Sequence, residues 1–85
     1  MDIIRPKIIE FLNRIAEQKN GMYKPSIQLS RGIYTYGSGQ HLIHTLEEIG
    51  LVSLSKKDGR SILVSLTPKG LIILSKLNNI NKLLS

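Results

Sequence analysis

The chain has 85 residues, with twelve Lys and Arg against six Asp and Glu, a net charge of +6 and a pI near 9.9. That length allows one small domain, residues 1–85, with a modest core, and the charge favours a polyanionic partner such as nucleic acid or an anionic membrane surface. Without cysteine there are no disulfides or thiolate metal sites, and no run of about 18 apolar residues exists to span a bilayer.

The charge is uneven along the chain. Residues 1–50 carry six basic and five acidic side chains, whereas residues 51–85 carry six basic and one acidic. The opening MDIIRPKIIE mixes an acid and cations among its apolar residues, unlike a secretory signal, so a soluble cytoplasmic protein is expected. Tyr, Phe and Trp total four. An aliphatic core follows, and extensive base stacking on aromatic platforms does not.

Pro6 suits the first turn of a helix, where its missing N–H would have no partner. Ile8, Phe11, Leu12 and Ile15 repeat at helical spacing, with Ile4 one turn earlier. The first helix is predicted over roughly 3–19, ending before the turn dipeptide Asn20-Gly21, with Glu10 and Arg14 as an i, i+4 pair. A short second helix opens after Pro25, buries Ile27 and Leu29 and stops at Gly32.

The third helix is predicted over 36–49. Thr35 or Ser38 is its N-cap, and Leu42, Ile43, Leu46 and Ile49 form its buried stripe. Gly37 and Gly39 weaken its start by about 1 kcal/mol each relative to alanine, but glycine there also permits close approach to another surface. Gly50 ends the helix in the left-handed conformation that a C-terminal cap requires. Val52 and Leu54, then Ile62, Val64 and Leu66, alternate with other residues in the period-two pattern of half-buried strands. Between them lies Lys56-Lys57-Asp58-Gly59-Arg60, a basic turn built on an Asp-Gly hairpin signal.

Thr67 and Pro68 start a last helix over 68–84. Ile73, Leu77, Ile80 and Leu84 step by 4, 3 and 4 as a short seam for dimerisation. Lys69, Lys76 and Lys82 mark a solvated side. The alternative is that this helix packs across helix 1 within one copy.

A polar-faced helix followed by a basic hairpin outlines an α+β winged helix-turn-helix: three helices, a two-stranded β-hairpin wing and a C-terminal helix. Leu46-Glu47-Glu48-Ile49-Gly50-Leu51-Val52, then Asp58-Gly59-Arg60, then Val64-Ser65-Leu66-Thr67-Pro68-Lys69-Gly70 resembles the winged helix of MarR-type regulators. It is also similar to small archaeal winged-helix DNA-binding proteins that dimerise through a C-terminal helix. The resemblance covers about residues 22–75 and implies double-stranded DNA as partner, a homodimer, and a transcriptional regulator.

In such a molecule helix 36–49 enters the major groove and wing 55–61 lies on the backbone or in the minor groove. Gln40 can pair bidentately with adenine. Ser38, His41, His44 and Thr45 can bond bases or phosphates, and Thr35 and Tyr36 sit at the groove end of the helix. Lys56, Lys57 and Arg60 on the wing, with Arg31 and Lys24, are phosphate contacts. No arginine on the helix offers bidentate reading of guanine.

His41 and His44 have no third metal ligand nearby, and no cofactor motif is present. Neither a P-loop nor a nucleophile elbow occurs, so no enzymatic activity is expected. Two other readings stay open: a protein–protein interaction module on a winged-helix scaffold, and a nonspecific architectural or partition DNA-binding protein.

Overall fold

The computed structural model describes residues 5–18, 26–57 and 61–84, with the backbone alone for residues 26, 27, 36, 56, 57, 61 and 84. Its elements run α1 (Pro6–Ala16), α2 (Ser26–Leu29), α3 (Tyr36–Glu48), β1 (Val52–Lys57), β2 (Ser61–Leu66) and α4 (Pro68–Leu84). The two strands form an antiparallel pair with Val52 opposite Leu66, Leu54 opposite Val64 and Lys57 opposite Ser61. The core is aliphatic around one aromatic ring: Phe11, Leu12, Ile43, Leu46 and Val64 are the fully buried large side chains.

Helix α1 is shorter than its predicted span and starts with Pro6 in its first turn. Its apolar stripe of Ile8, Ile9, Phe11, Leu12 and Ile15 is buried, and these side chains account for its place as the central support. Gln18, just past its end, donates from Nε2 to the Val64 carbonyl at 2.9 Å, tying α1 to β2. Asn13 and Asn78 exchange reciprocal amide hydrogen bonds of 3.0 Å, tying α1 to α4.

The end of α3 closes in a Schellman motif. Gly50, at φ +82, donates to the Glu47 carbonyl at 3.0 Å, and Leu51 donates to Leu46 at 2.9 Å. Leu46 and Leu51 are both buried, which satisfies the apolar pairing that accompanies this cap. Ile49 departs from its predicted place in the buried stripe. It is the C-cap residue rather than part of the last turn, and it is exposed.

The start of α4 locks onto that cap. The Thr67 hydroxyl accepts from the Gly70 amide at 3.0 Å, as an N-cap does, and donates to the Gly50 carbonyl at 2.5 Å. The Thr67 amide donates to the Leu51 carbonyl at 3.1 Å. A Cβ on Gly70 would collide with that same carbonyl oxygen and lie 3.3 Å from a Leu66 methyl. Thr-x-x-Gly is thus a packing requirement here, since only glycine lets the first turn of α4 lie on Leu51. Lys69 is exposed, as expected of a solvated side, and its ammonium also reaches the Ile49 carbonyl at 2.8 Å. A cation there complements the negative end of α3, which Glu47 and Glu48 otherwise make less favourable.

Candidate nucleic-acid interface

The turn between α2 and α3 decides how α3 is presented. Ser30 accepts from the amides of Ile33 and Tyr34 at 3.0 and 2.9 Å, and Gly32 takes φ +83 to reverse the chain. Thr35 caps α3: it has extended backbone, and its hydroxyl accepts from Ser38 N at 3.4 Å. Gly39 is buried, and a Cβ built on it would lie 3.0 Å from both Cβ and Oγ of Ser30. The surface that this glycine approaches is therefore the preceding turn, and the tight fit fixes the angle between the two helices.

Arg14 clamps the turn from behind. Its guanidinium donates to the carbonyls of Leu29 at 3.2 Å and Arg31 at 2.6 Å, and pairs with Glu10 at 3.4 Å. The sequence offers only the Glu10 pair, because the two carbonyls lie 15 and 17 residues away and no side-chain pattern marks them. Gln18 and Lys69 were hidden for the same reason: each reaches a backbone carbonyl far along the chain.

Opposite the buried side of α3, which holds Gly39, Leu42, Ile43 and Leu46, the outward ridge consists of Gly37, His41, His44 and Glu48. Its spacing of 4, 3 and 4 follows the helical repeat. All four residues are exposed. Ser38 is exposed on one flank, Thr45 is half-buried beside it, and Gln40 is half-buried on the other. The Thr45 hydroxyl donates to the His41 carbonyl at 3.0 Å, so its proton is engaged within the helix and its oxygen serves as an acceptor. Among the described residues, no cluster of three or more His, Cys, Asp or Glu side chains surrounds the histidines.

Arg31 is exposed in the turn that Arg14 grips, one turn before the α3 ridge begins. Tyr36 is the first residue of α3, but its side chain lies outside the described residues. The same holds for the side chains of Lys56 and Lys57 and for all of Arg60, as it does for Lys24 and the Asp58-Gly59 turn. The backbone of Lys56 and Lys57 pairs with Ile62 and Ser61 at the far end of the hairpin. Tyr34 packs inward, its ring edge-on to Phe11 with centroids 6.1 Å apart. Desolvation raises its hydroxyl above the ordinary tyrosine range, and the nearby Arg5 charge partly offsets the shift.

The seam expected for dimerisation does not stay together. Leu77 is only 3% exposed and Ile73 packs against the core within a single chain, because α4 lies against α1 and turns this edge inward. Leu77 is thus a core residue and not available to a partner. Ile80 is exposed, and the Leu84 side chain lies outside the described residues. Leu71, Ile72 and Leu83 are the other large apolar side chains that α4 leaves open.

A short helix, a tight turn, a second helix with an open face, a hairpin and a returning helix define a winged helix-turn-helix, an α+β fold. No protein-family model and no curated protein matches the chain. Among solved structures it is similar to the crystal structure of AF1382 from Archaeoglobus fulgidus, with a TM-score of 0.77 and 18% identity over 93% of this chain and 87% of that one. At that identity the likeness establishes the fold alone. No described helix is long and apolar enough to cross a membrane.

Proposed function

We propose that the protein is a cytoplasmic, MarR-like transcriptional regulator that binds double-stranded DNA as a homodimer. The observation that carries this reading is the open ridge of α3, on which His41 and His44 are exposed while the turn before them is held by Arg14, Gly32 and Gly39. Such a ridge offers hydrogen-bonding groups to base edges at major-groove depth. Ser38 and Gln40 flank it, and Arg31 stands where a phosphate would pass. Lys56, Lys57 and Arg60 supply cations from the hairpin to the neighbouring backbone. Two copies related by a two-fold axis would read an inverted repeat with half-sites about 34 Å apart.

The test is a gel-shift titration of random and selected duplexes with the wild type and with Lys56, Lys57 and Arg60 all changed to alanine. Removing three phosphate contacts from each of the two wings of a dimer should reduce the dependence of log affinity on log salt by about 5. Equal binding by both proteins at every salt concentration rejects the wing's part. Footprinting separates a regulator, with one protected operator, from an architectural binder with uniform coverage. Exposed Leu71, Ile72 and Leu83 favour a second reading, a protein-interaction module. A monomer that ignores duplex DNA at low salt is its signature.

A further inference from the structure

The first turn of α3 holds two glycines, and the fold accounts for only one of them. Gly39 is buried, with Ser30 3.0 Å from where its Cβ would stand. Gly37 is exposed, its φ is not positive, and no described atom lies within 4 Å of a Cβ built on it. Among the described glycines it is the exception, since Gly32 and Gly50 take positive φ and Gly70 lies against the Leu51 carbonyl. Glycine weakens a helix relative to alanine, because the unfolded chain has more conformations to lose. Nothing inside the chain requires it at 37.

Its position supplies the reason that packing does not. Gly37 heads the outward ridge whose next members are His41, His44 and Glu48. Charge decides which end of that ridge can approach DNA. No Lys or Arg lies between Tyr36 and Glu48, and Glu47 and Glu48, both exposed, end the helix with carboxylates that phosphates repel. Arg31 stands exposed in the turn before the Gly37 end.

We infer that Gly37 is a positioning residue for duplex recognition: a base edge on the floor of the major groove fills the space where its side chain would stand. Glycine lets a backbone approach a ligand closely, and this contact sets the depth at which His41 and His44 meet their bases. The inference rests on the DNA-binding reading above and gives the missing side chain a role in it. A side chain at 37 holds the helix out of the groove, whereas contacts to phosphate stay available.

Gly37→Ala and Gly37→Leu test this by gel shift on the selected operator and on a scrambled duplex. Alanine should raise the melting temperature by about 2–6 °C. It should nevertheless weaken operator binding about tenfold, and leucine about a hundredfold. Affinity for the scrambled duplex should stay within about threefold, and the salt dependence on the operator should not change, because no charge is altered. A glycine that served only the fold would not give a more stable protein that reads its operator less well. The chain has no cysteine, so Gly37→Cys adds a single thiol. Saturating operator should slow its alkylation about tenfold or more, and leave unchanged that of Ser75→Cys on the exposed side of α4.

Operator binding equal to wild type, an equal loss on both duplexes, a lower melting temperature, or an unprotected thiol at 37 overturns the contact while the regulator stands. A wild type that ignores every duplex, or binds all of them alike, overturns both.

Discussion

The junction of α3 with α4 and the outward ridge of α3 lie on the same helix and have opposite character. At the junction, the Thr67 hydroxyl is engaged on both sides, the Leu51 carbonyl is covered, and Gly70 leaves no room for a methyl group. On the ridge, His41, His44 and Glu48 are exposed side chains. The first region spends its hydrogen bonds within the chain, and the second adds little to folding. Stability and recognition are therefore separable by mutation, residue by residue.

The largest effect belongs to the junction. Gly70→Ala in an ordinary helix would gain about 1 kcal/mol. Here the added methyl meets a backbone carbonyl, and a net loss of about 2–3 kcal/mol is expected from overpacking. A urea midpoint that falls at constant slope confirms it, and an unchanged midpoint rejects the tight approach.

Arg14→Leu comes next and bridges the two regions. It keeps a long apolar stem but frees the carbonyls of Leu29 and Arg31, which are partly exposed to water, so a loss of about 1 kcal/mol is expected. Because the clamp sets the turn before α3, duplex affinity should weaken at temperatures where the variant is still fully folded. Calorimetry and gel shift together check this, and full affinity in a folded variant removes the clamp's part in recognition.

His41→Ala and His44→Ala should move the urea midpoint by less than about 0.5 kcal/mol in stability. Selection from random duplexes should nevertheless return a different preferred sequence. Stability loss with unchanged preference would invert the contrast between ridge and junction.

The smallest effect is alkaline. With the Tyr34 hydroxyl raised by burial, the folded state holds its proton more tightly than the unfolded state. The stabilisation is complete below the ordinary tyrosine value near 10 and is lost as pH rises through the higher folded value. Tyr34→Phe should lose that part of the alkaline fall in melting temperature, and an identical pH profile counts against it.

Much of the fold was legible because each signal was local. Gly50 and Gly32 both take positive φ where the chain turns, Thr35 and Thr67 cap the helices they precede, and the Pro6 and Pro68 starts hold. The candidate ridge was legible in composition: His41 and His44 lie outward together, with Gln40 at one side. The C-terminal seam was not, because a 4-3-4 leucine pattern reads alike whether it meets another copy or its own α1. Leu77 belongs to the second case.

The sequence alone determined the elements, their caps and the side of α3 that carries hydrogen-bonding groups, because helical period and capping act over four residues or fewer. Only the tertiary structure decided which apolar edge of α4 is core, why Gly70 admits no side chain, and that Arg14 holds the turn before the ridge. Those contacts join residues 15 or more positions apart, and no periodicity in the chain encodes which carbonyl a distant side chain will find.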